Sequence, residues 1–345
     1  MRNLILVLIA VIFFGANSLA QGNLDKNLWC TAITSPELPM PVTSDDQASL
    51  NDPYEAQEQC FARALETNKQ AQKTIKVMTY NIWNGFDWGK DTERKANLIE
   101  WVKKQKPDVL ALQELCGYTE DQLKEDAMQW GHQYVQLLKT KGYPTALTSN
   151  QPIRLKEKSI KPFWHGLLHC ETYGIDFYIV HLSPADSDFR LKEAKLITEK
   201  IDNSNSDSYI ILGDFNSHSP FDANWLENKD ELRAKLLGKK KSKYSNLRNG
   251  EFDYSVISEF LACPAIDVCL NRTETKDAFT FPTKALIGKY SATKKSVERD
   301  RERIDYILAS PKLAKMCNKV QIYNQEATRF LSDHYPMTAV FYLGQ

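Results

Sequence analysis

Tyr209-Ile210-Ile211-Leu212-Gly213-Asp214-Phe215-Asn216 runs a short apolar strand straight into a turn that carries a carboxylate and an amide. Four further segments repeat that design: Met78-Thr79-Tyr80-Asn81-Ile82-Trp83, Leu112-Gln113-Glu114, His181-Leu182, and the late pair Arg303-Ile304-Asp305-Tyr306 with Ser332-Asp333-His334. Each reads as a strand that ends in polar side chains. Any one alone says little. Their recurrence in order along the chain points to a hydrolytic enzyme whose site is assembled from strand ends.

Outward from these segments the chain alternates strands and helices. A strand from Thr74 carries Ile75, Val77 and Thr79 in alternation, and a helix over Thr92–Lys104 follows, with Ala96, Ile99 and Val102 aligned and Pro107 as its stop. Asp108–Leu112 is a buried-type strand. Thr119 with Gln122 forms a capping box for a helix whose apolar stripe is Leu123, Ala127, Trp130, Tyr134 and Leu138. Gly142–Lys161 has weak patterning. Trp164–Cys170 and Ile175–Leu182 read as strands joined at Tyr173-Gly174, and Arg190–Ile201 as a helix. Strands alternating with helices early, and adjacent strands later, predict a mixed α/β sheet architecture. Residues 74–345 read as one catalytic domain with a long irregular insertion around 221–300.

Residues 1–20 read as a signal peptide: Arg2, an apolar run from Leu4 to Phe14, and small residues before a cleavage site near Ala20. That run is too short to span a bilayer, which takes about 20 residues. Export to a secreted or periplasmic location is the expectation. Residues 21–73 read as a leader with a helix over 54–70. Losing Arg2 takes Lys+Arg from 44 to 43 against 44 Asp+Glu, so the mature chain is nearly neutral. Such a balance argues against a nucleic-acid coating protein, though not against an enzyme that grips a few phosphates. Seven cysteines lack zinc-type spacing. Cys116 and Cys170 read as buried thiols, and Cys263 with Cys269 could close a small loop.

A phosphodiester repels nucleophiles and has a poor leaving group, so its hydrolysis needs charge neutralisation, an activated water and support for the departing oxygen. Glu114 is the hard oxygen ligand a divalent ion such as Mg²⁺ accepts, and Asn81 could orient the ligand shell. Asp305 with His334 makes a carboxylate–imidazole pair. Asp214 suits handling the attacking water, Asn216 donating to a phosphate oxygen, and His181 acting as a second cation or proton donor. His165, His169 and His218 read as hydrogen-bonding scaffold. Arg190 and the charged runs Lys239–Lys243 and Arg299–Arg303 read as solvated faces. Asn271-Arg272-Thr273 is a glycosylation sequon only in a glycosylating host.

From Thr74 to Leu343 these motifs resemble the endonuclease/exonuclease/phosphatase superfamily, with its deoxyribonuclease I-like fold. The resemblance rests on Asn81, Gln113-Glu114, His181, Gly-Asp-Phe-Asn at Asp214 and Asn216, Ile-Asp-Tyr at Asp305, and Ser-Asp-His at Asp333 and His334. It implies a four-layer α/β sandwich of two mixed, mainly antiparallel sheets flanked by helices. It also implies a metal set of Asn81, Glu114 and Asp333, and Mg²⁺ dependence, with Mn²⁺ or Ca²⁺ as substitutes. The implied substrate is a phosphodiester, foremost a nucleic acid. Trp83 stands where some members place a carboxylate. His181 stands where abasic-site nucleases place Tyr, which resembles the deoxyribonuclease and sphingomyelinase side. The rival readings are a sphingomyelinase-like lipid phosphodiesterase, a sugar- or inositol-phosphate phosphatase, and a phosphate-binding module without catalysis.

Overall fold

The computed structural model describes residues 74–238, 245–270 and 272–344, all within one compact unit. The signal peptide, the leader with its helix, Cys30, Cys60, Lys239–Lys243 and Asn271 lie outside the described residues.

Two six-stranded sheets form the molecule's frame, and β9 (Leu247–Arg248) pairs with β10 (Glu251–Phe252) apart from them. The first has the order β13 (Cys317–Ile322), β14 (Met337–Tyr342), β1 (Thr74–Asn81), β2 (Val109–Gln113), β4 (Ala146–Ser149), β3 (Tyr134–Leu137). The second runs β11 (Ile266–Asp267), β12 (Asp305–Ala309), β8 (Tyr209–Asp214), β7 (Ile175–His181), β6 (Leu167–Thr172), β5 (Arg154–Ser159). In each sheet the central pair is parallel, β1 with β2 and β7 with β8, and every other pairing is antiparallel.

Alternation along the strands builds the layers. Ile75 and Val77 of β1 join Phe177 and Ile179 of β7 and Ile210 and Leu212 of β8 in a core between the sheets. The opposite faces of the same strands pack outward. Met78 and Tyr80 meet Leu98, Ile99 and Val102 of α1 (Thr92–Gln105) and Leu123 and Ala127 of α2 (Glu120–Gln129). Tyr178 and Ile211 meet Ala194, Ile197 and Ile201 of α3 (Ser187–Ser204) and Val256, Ile257 and Phe260 of α4 (Ser255–Ala262). Period-two strands with both faces apolar require cover on both sides, and the result is helix, sheet, sheet, helix.

Several sequence expectations are corrected. The helix after Thr119 stops at Gln129, because Gly131 takes a left-handed φ of 94° and the aromatic and β-branched Tyr134-Val135 enter edge strand β3 instead. The weakly patterned stretch 142–161 contains β4 and β5. Arg190 is buried, with Nη1 donating to the Ser183 carbonyl and to Asn246 Oδ1. Arg303 is also buried, held between Asp222 and Asp267. The region around 221–300 supplies α4 and β11 to the packed layers. Cys116, Cys170, Cys263, Cys269 and Cys317 are all free and buried, so Cys263 and Cys269 close no loop. No described helix is long and apolar enough to cross a membrane.

Candidate active site

Strand direction decides where the polar ends meet. β1, β2, β7 and β8 finish at one edge of the sandwich, and because β12 runs antiparallel to β8, its first residue lies at that edge. Asn81 thus stands opposite Gln113 in one sheet, and His181, Asp214 and Asp305 form a row across the other. The late segments therefore precede their strands rather than end them: Asp305 opens β12, and Ser332-Asp333-His334 lies in the loop before β14. Gly213 permits the approach of β8 to β7, since a Cβ there, at φ 138°, would collide with the Val180 carbonyl oxygen.

Side chains knit the two rows together. Asn81 Nδ2 donates to Glu114 Oε1 at 3.3 Å and across the sandwich to Asp214 Oδ2 at 3.1 Å, while its Oδ1 accepts from the Trp83 amide. Asp305 Oδ2 lies 2.8 Å from His334 Nδ1, and His334 Nε2 lies 3.7 Å from Asp214 Oδ2. Ser332 Oγ donates to the Asn81 carbonyl at 2.6 Å and accepts from the His334 amide, which fixes the loop. Thr280 Oγ1 accepts from the Ile304 and Asp305 amides. The Asn216 amide donates to Asp214 Oδ1, and its side-chain Nδ2 donates to the Leu182 carbonyl. His181 Nε2 lies 3.6 Å from Asp214 Oδ2 and 3.9 Å from Glu114 Oε1. All eight residues singled out by sequence thus gather at one end of the sandwich.

Electrostatics divides the imidazoles. Burial pushes His334 down, but Asp305, Asp214 and Asp333 outweigh it and hold the ring well above its ordinary range, as an imidazolium. His181 is fully enclosed, and burial, with His165, His334 and Lys139 nearby, keeps it neutral. Burial raises Asp214 to about 8, with Asp305 and Glu114 adding to it and His334 opposing, and raises Asp333 to about 7, with Glu114 adding. Asp214, Asp305 and His334 offer ligand atoms within 4.8 Å of one another. Crowded, desolvated carboxylates of this kind fit a divalent cation, whose charge would draw their acidities back down.

Several participants were not marked by sequence. Trp83–Trp88, separated from Asn81 only by Ile82, is a helical turn of the wrong hand, every φ lying between 51° and 61°. Arg94 pins it, donating to the Ile82, Trp83 and Leu331 carbonyls. From this turn the Asn84 amide donates to Glu114 Oε2 at 2.7 Å, and Glu114 itself has φ 63°. His165, read as scaffold, stacks on His181 with centroids 4.1 Å apart. His169 and His218 are scaffold, paired with Asp176 and Glu302 at 2.8 Å each. The Asp91-x-x-Arg94 spacing marks a helix start, and nothing local shows that the guanidinium reaches back over the strand end.

Paired sheets with carboxylates, an amide and imidazoles gathered at their shared edge define a class of enzyme that works on phosphate esters. The family model for the endonuclease/exonuclease/phosphatase family matches residues 78–334, and the chain belongs to that family of phosphoester hydrolases. Its fold is shared with an AP endonuclease from Archaeoglobus fulgidus (TM-score 0.58, 21% identity), covering 77% of this chain and 99% of that one. A 3' phosphatase from Neisseria bound to a product DNA hairpin (TM-score 0.56, 18% identity) gives the same coverages. So does a 3'-5' exonuclease from Neisseria meningitidis (TM-score 0.53, 16% identity). A search of curated proteins found no match.

Proposed function

We infer that this chain is an exported, divalent-metal-dependent phosphodiesterase acting foremost on nucleic acid. The observation that carries the reaction class is the Asp214–Asp305–His334 cluster bound to the opposite sheet through Asn81. Glu114 and Asp333 would hold Mg²⁺ through their oxygens, with Asn81 orienting Glu114 and Asp214. A divalent ion there supplies charge neutralisation at the phosphate and favours ionisation of water.

The protein's own groups perform the rest. Asp214, ionised, accepts a proton from the attacking water, whose oxygen forms the new bond to phosphorus. Asn216 places Asp214 through its backbone amide, and its Nδ2, which gives one hydrogen to the Leu182 carbonyl, has the second to offer a phosphate oxygen. His334, kept protonated by Asp305, sets positive charge against the phosphoryl oxygens as the bond to the leaving oxygen breaks. His181 donates a hydrogen bond on the other side, and the departing alkoxide leaves as an alcohol after taking a proton from solvent water, while Asp214 returns the proton it accepted to solvent. The nucleic-acid preference draws support from the nuclease and phosphatase folds it resembles, and export from residues 1–20.

The test is a panel of duplex DNA, single-stranded DNA, RNA, sphingomyelin and inositol phosphates with Mg²⁺, Mn²⁺ or Ca²⁺. The expected result is cleavage of nucleic acid that falls about 100- to 10,000-fold in His334→Ala. Cleavage confined to the lipid or to the inositol phosphates would replace the nuclease reading. No turnover of any substrate would favour the binding module.

A further inference from the structure

The aromatic surface continues beyond His181. His165 lies against its face with planes 23° apart, Tyr143 meets His165 edge-on at 5.4 Å, and Trp88 meets Tyr143 at 6.3 Å. Exposure climbs along this series from 3% at His181 and 7% at His165 to 36% at Tyr143 and 49% at Trp88. The rings therefore form a ladder from the reaction centre out to solvent.

Trp88 is held at the top of that ladder at considerable cost. It ends the left-handed Trp83–Trp88 turn, a conformation that disfavours side chains such as those of Trp83, Phe86 and Trp88. The turn leaves Asn81 and returns over Cys116, two residues past Glu114, where only the bare Gly85 fits against the Cys116 backbone. Strain concentrated beside a reaction centre is a pointer to function. Here it presents a half-exposed indole whose outer surface no described residue covers fully.

Two cations lie on the segments around this ladder. Lys139, in the loop that carries Tyr143, is near enough for its charge to act on His165 and His181, and Lys289 Nζ sits 4.3 Å from the ring of Trp83, the first residue of the turn that ends at Trp88. Neither forms an ion pair with any described residue, although ion pairs are common elsewhere on the molecule. His165 Nε2 is buried without a hydrogen-bond partner. Rings for stacking beside uncompensated ammonium groups match what an unpaired nucleotide offers, a flat base and an anionic phosphate. A quaternary ammonium headgroup would also favour the rings, but the two uncompensated cations oppose it.

We propose that Trp88 and Tyr143, with Lys139, form a subsite for the nucleotide flanking the scissile phosphate, taking its unpaired base on the rings and its next phosphate on the ammonium. This rests on the nuclease reading above and narrows it to substrates with an unpaired base beside the cut. A fully paired duplex keeps that base within its stack.

The experiment compares a single-stranded oligonucleotide, the same strand with the flanking base removed, its fully paired duplex, a phosphocholine lipid and an aryl phosphodiester. The expected result is that Trp88→Ala with Tyr143→Ala lowers the ratio of oligonucleotide to aryl-diester kcat/KM about 10-fold, chiefly through KM. Removing the flanking base from the substrate should lower the wild-type ratio comparably, and Trp88→Phe should recover most of the loss. Independently of turnover, Lys139→Gln should reduce the slope of log affinity against log salt by about 0.7 for a labelled oligothymidylate in the presence of chelator. An unchanged ratio, an unchanged slope, an equal loss on the paired duplex, or a Trp88-dependent preference for the lipid would each overturn the subsite. Aryl-diester turnover without any oligonucleotide cleavage would defeat the nuclease reading and the subsite with it, while leaving the phosphodiesterase chemistry standing.

Discussion

Asn81 joins the two sheets by hydrogen bonds to one carboxylate from each, and both acceptors lie at the reaction centre. Converting it to Asp removes the donors and adds an anion beside Glu114 and Asp214. Asn81→Asp should cost about 1 to 3 kcal/mol in urea unfolding and lower phosphodiester turnover. A second residue-scale prediction lies away from the site, where Asp176 pairs with His169 and Lys156. Burial pushes Asp176 up, but hydrogen bonds from His169 and Ser206 and the nearby Lys156 ammonium hold it down at about 2. A depressed carboxylate stabilises the fold above its unfolded value near 3.8 and loses that contribution as pH falls through 2. Asp176→Asn should therefore destabilise by roughly 1 to 2 kcal/mol at pH 7, the lower end applying where solvent screens the pair, and the gap should close between pH 4 and pH 2. Chemical denaturation across that range measures it. At this scale the sequence was informative about Glu114, Asp214, Asp305 and His334, because charged groups at strand ends need partners. It was silent on the Asn81–Asp214 bond and the His165 stack, since both depend on how distant segments pack.

The left-handed turn at Trp83–Trp88 is the element that carries the backbone donor to Glu114, the Asn84 amide. Gly85→Ala would drive a methyl group into the Cys116 carbonyl, in a backbone conformation that disfavours any Cβ. The expected cost is about 2 kcal/mol or more, together with weaker divalent-ion binding measured by calorimetry as Glu114 shifts. Unchanged stability and ion affinity would show that the turn does not position Glu114. Elements with strong patterns, β1, β2, β7, β8, α1 and α3, were legible from period and length. β3 was hidden in an apparent helical stripe, and β4 and β5 showed too little apolar periodicity. No propensity argument anticipates six successive left-handed residues, because tertiary contacts from Arg94, Glu114 and Cys116 create them.

Across the whole molecule, two sheets of matching layout share one interior, and the reaction centre lies at the edge where their parallel pairs end. Phe177→Ala, in that shared interior, should cost about 3 to 5 kcal/mol while leaving turnover per folded molecule largely intact. Denaturant unfolding and active-site titration together separate the two effects. The layer count was not readable from alternation alone and came with the family motifs, whereas the convergence of the strand ends followed once each strand's direction was known. The most direct test of the account is the rate of aryl phosphodiester hydrolysis by wild type and Asp214→Asn, with Mg²⁺ and with excess chelator. The expected result is Mg²⁺-dependent turnover that chelator abolishes and that Asp214→Asn lowers at least about 100-fold. Turnover that persists undiminished in chelator, or an Asp214→Asn variant as active as wild type, would contradict it.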